Sequence, residues 1–208
     1  MKRIAVLVSG GGTNLQALID AKQRGEIPNG ELALVVSSSP KAYALQRAAK
    51  AEIPTVVIDR KAYSSNQEMT IALAKRLKEE KIDLVVLAGF MYILTSEMVS
   101  AYPNAIINVH PALIPSFCGD GFYGLHVHEK ALAYGVKVSG ATVHFVSEEC
   151  DGGPIILQKA VPVQSDDTPE TLQKRIMEQA EWKILPKAVC LFCDDKLSVE
   201  GRVVHISE

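Results

Sequence analysis

The chain has no apolar run long enough to cross a bilayer. Its longest, Leu84 to Leu94, falls well short of the roughly 18 residues that crossing requires. No export signal is expected from the first residues: after Met1-Lys2-Arg3 only Ile4 to Val8 are apolar before Ser9 and three glycines, too short for a signal-peptide core. Cysteine is sparse, with four residues at 118, 150, 190 and 193, and without an export signal they fit free thiols in a reducing cytoplasm better than a disulfide framework. Charge of one sign is lacking too. The formal charge is -2, with Lys and Arg interspersed among Asp and Glu, which argues against a nucleic-acid-wrapping surface. There is no low-complexity run, internal repeat or linker-like stretch. With 208 residues, 48% of them hydrophobic, the chain can bury a core of its own and is expected to fold throughout.

What is present is a series of short, Val/Ile/Leu-rich runs bounded by turn residues: Ile4 to Val8, Leu32 to Val36, Thr55 to Ile58, Leu84 to Ala88 and Ala105 to Val109. They do not alternate apolar with polar, as suits strands covered on both faces. Between them lie segments of helical period: Asn14 to Lys22, Lys41 to Ala51 and Glu68 to Glu80. This β-α-β-α order predicts a doubly wound, mostly parallel sheet, because parallel neighbours need crossover helices. Later, Lys137 to Val146 and Pro154 to Val163 read as longer strands joined by a loop, an antiparallel addition to that sheet. Thr168-Pro169-Glu170 opens a long helix, and Asp194 to Ile206 reads as a terminal hairpin.

Two places carry chemistry. Ser9-Gly10-Gly11-Gly12-Thr13-Asn14 lies between the first strand and first helix, where free backbone N–H groups and the helix dipole favour an anion. The dinucleotide pattern G-x-G-x-x-G fails at Leu15, no Gly-Lys-Ser/Thr follows, and Val36-Ser37-Ser38-Ser39 lacks the acid that would hold an adenosine ribose. A simpler phosphate is expected; the blander reading is a tight turn that binds nothing. The second place is Asn108-Val109-His110-Pro111, at the carboxyl end of strand five, together with Asp151-Gly152-Gly153 after strand six. A carboxamide, an imidazole and a carboxylate at one sheet edge can hold an oxyanion, move a proton and fix the imidazole's protonation state. No Ser or Cys nucleophile is evident nearby, which suits direct attack by a substrate amine. Each residue alone is as easily structural, a satisfied core histidine or a turn-initiating aspartate. His126, His128 and His144 lack metal-ligand spacing and read as cap, surface or core residues, and Cys190-x-x-Cys193 reads as packing.

Taken together, Ser-Gly-Gly-Gly-Thr-Asn-Leu-Gln, Leu87 to Met91, Asn108 to Pro115, Val143 to Val146 and Asp151 to Ile155 resemble the phosphoribosylglycinamide formyltransferase family of folate-dependent enzymes, over nearly the whole chain and in order. The resemblance implies a Rossmann-like formyltransferase fold in a single domain, 1–208, with a phosphate-binding half at 1–109 and a folate and catalytic half at 110–208. It implies formyl transfer from 10-formyltetrahydrofolate, a co-substrate, to the glycinamide amine, with no metal and with small molecules as the only partners of a monomer or homodimer. Asn108 and protonated His110 would hold the oxyanion while Asp151 raises the imidazole's proton affinity and orders a water. Gly11, Gly12, Thr13 and Asn14 match the ribonucleotide-phosphate contacts, Gly89 and Glu181 further contacts to that substrate. Met91, Tyr92, Ile93, Leu94, Ser147, Glu148, Glu149 and Cys150 match the folate pocket, and Asn66 falls where a folate-contacting arginine often lies. Tyr92 replaces a frequent arginine, and Glu178 stands where glutamine can appear. Ser116 to Tyr123 is longer than the corresponding loop of many relatives and is a candidate lid. A formyltetrahydrofolate hydrolase, a transfer-RNA formyltransferase and a non-catalytic nucleotide-binding module are the rival readings.

Overall fold

The computed structural model of the chain describes residues 1–207. Among them the parallel part of the sheet is built from β1 (Lys2–Val8), β2 (Gly30–Ser37), β3 (Thr55–Val57), β4 (Leu84–Leu87) and β5 (Ile106–His110). The later strands are β6 (Val138–Phe145), β7 (Ile155–Pro162), β8 (Leu197–Glu200) and β9 (Val203–Ile206). One sheet holds them all in the order β3-β2-β1-β4-β5-β6-β7-β9-β8. β1 to β5 are mutually parallel, and β6 then runs antiparallel to both β5 and β7. The expected doubly wound sheet with an antiparallel addition is what the chain forms.

The helices are α1 (Thr13–Gln23), α2 (Ala44–Lys50), α3 (Asn66–Glu79), α4 (Ser96–Ala101), α5 (Leu125–Tyr134), α6 (Pro169–Ile176) and α7 (Trp182–Cys193). Side chains of a strand alternate between faces, so β1 serves two cores at once. Ile4, Val6 and Val8 pack with Leu15 and Leu18 of α1 and Leu185 and Val189 of α7, while Ala5 and Leu7 pack with Met69, Leu73 and Leu77 of α3 and Met98 of α4. Burying each such aliphatic side chain contributes about 1.5–3 kcal/mol, and truncating fully buried Leu18 to Ala would cost about 2–5 kcal/mol.

Two differences from the sequence pattern matter. The short helix α4 has no periodic signature of its own, being only six residues long. And the long helix opened by Thr168, whose side chain and that of Thr171 cap one another's backbone N–H groups, is not continuous: a π-helical turn, Met177–Glu181, separates α6 from α7. Such a turn inserts a residue into the helical register, and here it carries Glu181 to the interior, 6% exposed.

Candidate active site

The glycine turn is shaped by packing at one position and open at two. Gly12 has φ +72°, and a Cβ there would lie 2.6 Å from that of Ala44 at the start of α2, so glycine is required on both counts. A Cβ at Gly10 or Gly11 would meet nothing within 4 Å. α1 begins at Thr13, so its first N–H groups have no partner within the helix. Asn14 is buried and its amide donates to Glu181 Oε2 at 2.7 Å. Burial pushes the Glu181 carboxyl up to about 7, with the Asn14 donor pulling the other way. Ser9 Oγ accepts from the backbone N–H of Met91 at 3.0 Å, tying the turn to the chain leaving β4.

On the other side of β4, Asn108 and His110 project from the same face of β5, two residues apart. The antiparallel register sets His144 of β6 opposite Asn108 and Thr142 opposite His110. Asp151 comes from the β6–β7 loop, at φ +53°, and the loop closes tightly enough that a Cβ on Gly153 would run into the Phe145 carbonyl oxygen. The carboxylate sits among two imidazoles, a carboxamide and a backbone N–H. Its Oδ2 lies 3.4 Å from His110 Nδ1 and accepts from Gly119 N–H at 2.9 Å. Its Oδ1 lies 3.5 Å from His144 Nε2 and accepts from the Asn108 amide at 3.4 Å. Burial works to raise the Asp151 pKa, but His144, His110 and Gly119 outweigh it and hold the carboxyl below its ordinary value.

Each imidazole has its second nitrogen on a backbone carbonyl: His110 Nε2 is 2.8 Å from Phe117 O and His144 Nδ1 is 2.9 Å from Phe145 O. A carbonyl only accepts, which assigns a hydrogen to those two nitrogens and turns His110 Nδ1 toward the carboxylate. The Asn108 amide also lies 3.2 Å from His144 Nε2. For His110, burial lowers the proton affinity most, Asp151 and the Phe117 carbonyl oppose it, and His144 lowers it further; the net is downward. The expected pull of Asp151 is present, but desolvation exceeds it.

The trio opens onto a cavity of about 570 Å³ bounded by Gly89 to Leu94, by residues 119–124 and by Val146 to Asp151. Its floor includes Asn108, His110 and His144. Met91 and Ile93 are 54% and 60% exposed, apolar surface open to the cavity, and Phe90 meets Tyr92 edge to face at 5.9 Å. Tyr92, Leu94, Ser147, Glu148, Glu149 and Cys150 also line it. Asn66 does not. It opens α3 and its amide donates to the Ile93 carbonyl at 2.7 Å, so it braces the wall from behind. Glu181 is likewise turned from solvent onto Asn14. The segment Ser116 to Tyr123 reaches the trio directly, through Phe117 O on His110 and Gly119 N–H on Asp151. Among the described residues no cluster of three or more His, Cys, Asp or Glu is arranged to hold a metal, and no helix is long and apolar enough to cross a membrane.

A sequence model described as formyl transferase matches residues 2–189. The chain belongs to the formyl transferase family. It is 41% identical to the phosphoribosylglycinamide formyltransferase of Haemophilus influenzae, across 99% of this chain and 94% of that one. Among solved structures it superposes on glycinamide ribonucleotide transformylase 1 from Symbiobacterium toebii with a TM-score of 0.94 and 47% identity, covering 100% of this chain and 95% of the other. A formyltetrahydrofolate deformylase from Pseudomonas syringae is more distant, at 25% identity and a TM-score of 0.87, covering 100% of this chain but 66% of that one.

Within this formyl transferase, sequence reasoning missed His144 as part of the site. Its neighbours Val143 and Phe145 are fully apolar and buried, so it reads as a core histidine. The signal was parity: His144 and Thr142 share a face of β6, and pairing that strand to β5 sets them against Asn108 and His110. Of the cap, surface and core places open to it, His128 takes the core, fully buried on α5, with neither ring nitrogen hydrogen-bonded among the described residues. Burial lowers its pKa to about 4, so it is neutral near neutral pH.

Proposed function

We infer that the chain transfers the formyl group of 10-formyltetrahydrofolate to the amine of 5'-phosphoribosylglycinamide, giving formylglycinamide ribonucleotide and tetrahydrofolate, a step of purine biosynthesis. The observation that carries this reading is the meeting of Asn108, His110 and Asp151 at the floor of the large cavity, in a chain so similar along its length to enzymes of that name.

The amine nitrogen attacks the formyl carbon, and negative charge collects on the formyl oxygen. Asn108 and the His110 imidazolium hold that oxygen. Asp151 stabilises the charged imidazole and orders the water through which the proton lost by the attacking nitrogen passes to the folate N10 as that nitrogen leaves. Both His110 nitrogens are engaged in the present arrangement, one with Asp151 and one with Phe117 O. A formyl oxygen bound through Nε2 therefore exchanges places with the Phe117 carbonyl, which gives the 116–123 loop a part in admitting substrate.

Gly11, Gly12, Thr13 and Asn14 take the substrate phosphate, with Gly89 a further contact to that substrate and Glu181 acting through Asn14. The cavity between Met91 to Leu94 and Ser147 to Cys150, within the 300–1,000 Å³ usual for small-ligand sites, takes the folate: its apolar exposed Met91 and Ile93 suit a flat ring. On this reading the partners are small molecules, no metal takes part, the compartment is the cytoplasm, and the enzyme works as a monomer or homodimer.

The deciding assay mixes the protein with 10-formyltetrahydrofolate, with and without phosphoribosylglycinamide, and follows folate absorbance together with mass detection of the formylated product. Release that depends on the amine is the expected result. Release without it would make the chain a deformylase, and no release in either mixture would leave a binding module.

A further inference from the structure

We propose that Arg47 is the cation that makes this enzyme select a phosphorylated over an unphosphorylated amine substrate. The proposal rests on the phosphate reading of the glycine turn and adds to it a residue from outside the turn.

The turn contributes backbone N–H groups but no charge of its own, and among the described residues Arg47 is the only basic side chain that hydrogen-bonds to it. From the outer face of α2, its Nε donates to the Gly11 carbonyl at 2.9 Å and its Nη1 to Gln16 Oε1 at 3.0 Å. Its guanidinium carbon sits 5.1 Å from the centre of the Tyr43 ring, a cation–π contact that further restricts the fork. Those bonds use two of the five guanidinium N–H groups, and Nη2 has no protein partner among the described residues.

Three independent observations make the surroundings fit an anion. First, Gly10 and Gly11 are not demanded by the packing of the chain, since a Cβ at either would meet open space; what glycine leaves there is room for a group from outside. Second, Arg47 shares with Thr13, Gln16 and a further cation, Arg24, a cavity of about 230 Å³ whose wall also carries Asp20. Third, the acids near it are partly engaged: one Asp20 oxygen accepts from Gln16 at 2.8 Å, and Glu26 holds Arg24 at 2.7 Å. The first turn of α1 and the free guanidinium nitrogen are donors that no side chain among the described residues satisfies. A phosphate supplies several acceptors and two negative charges, and a guanidinium binds it in a fixed fork where a lysine would act as a point charge.

The test compares the full-length enzyme with Arg47→Gln and Arg47→Lys, using phosphoribosylglycinamide and the corresponding ribosylglycinamide that lacks the phosphate. Arg47→Gln is expected to raise KM for the phosphorylated substrate roughly ten- to a hundredfold, the range for losing a hydrogen bond to a charged group, while KM for the unphosphorylated one stays within about threefold. Arg47→Lys falls between. Because Arg47 also braces the Gly11 carbonyl, a purely structural role would weaken both substrates alike in Arg47→Gln, and that outcome overturns the proposal, as does no change for either. Calorimetric titration with inorganic phosphate gives a readout independent of catalysis: the wild type binds and Arg47→Gln binds at least several-fold more weakly, whereas equal affinities overturn the proposal. If the wild type transfers no formyl group, the functional reading fails by itself and the phosphate titration still decides the role of Arg47.

Discussion

Asp151 and Glu181 are both carboxylic acids withdrawn from water, and their proton affinities move in opposite directions. Asp151 sits on a tight loop with its side chain 10% exposed, yet its pKa falls; Glu181 sits in a helical turn, 6% exposed, and its pKa rises to about 7. Burial is the largest influence on each and acts in the same direction. Donors make the difference. Asp151 faces two imidazoles, a carboxamide and a backbone N–H, whereas Glu181 has one carboxamide from Asn14. A carboxylate set among imidazoles and amide donors keeps its charge, and a carboxyl given a single donor is kept close to neutral.

The largest effect should come from removing the charged member of this pair. Asp151→Asn keeps the shape but takes away the charge that opposes desolvation of His110, so the imidazole, already lowered by burial, loses protons at still lower pH. Turnover should fall roughly 10²- to 10⁴-fold, the span for a lost acid–base partner, and the pH above which activity declines should shift downward. The pH–rate profile decides: an unchanged profile with modest rate loss would show that Asp151 does not act through His110. Asn108→Ala sharpens the same comparison, since it removes an oxyanion donor and one of the four groups around Asp151. Its expected loss in kcat is roughly 10²- to 10³-fold with KM for the folate little changed. Near-normal turnover would place the oxyanion elsewhere.

The parallel half was legible because runs such as Ile4 to Val8 and Leu84 to Ala88 are apolar throughout and separated by helices of clear period; every one of those strands is present. Asn108 and His110 were legible for the same reason, since a strand fixes the parity of its side chains and an α/β sheet fixes the edge that binds ligands. What could not be read depends on register and irregular backbone. His144 joins the site only once β6 is paired against β5. The 116–123 loop reaches His110 and Asp151 through main-chain atoms, with positive φ at Phe117, Gly119 and Gly121, and main-chain atoms leave no residue signature. Glu181 points inward because of a π turn inside a pattern that otherwise continues as one helix, and the place of Asn66 in the sequence says nothing of the Ile93 carbonyl it meets.

Glu181 gives the smallest of these effects, and it is read in stability, not turnover. Its pKa in the folded chain, about 7, lies above the ordinary 4.5 of a solvated glutamate, so the folded state binds its proton more tightly than the unfolded state does. The stability this confers is fully present below pH 4.5 and is lost as pH rises through 7, where ionisation must occur without water. The gap corresponds to roughly 3 kcal/mol. Glu181→Gln, which cannot ionise, should lack this slope while other groups titrate equally in both proteins. Urea unfolding at pH 5 and pH 8 should therefore show the variant gaining on the wild type by up to that amount at the higher pH. Parallel changes in the two proteins would mean that Glu181 is already ionised when buried, and the contrast with Asp151 would then be one of position, not of charge.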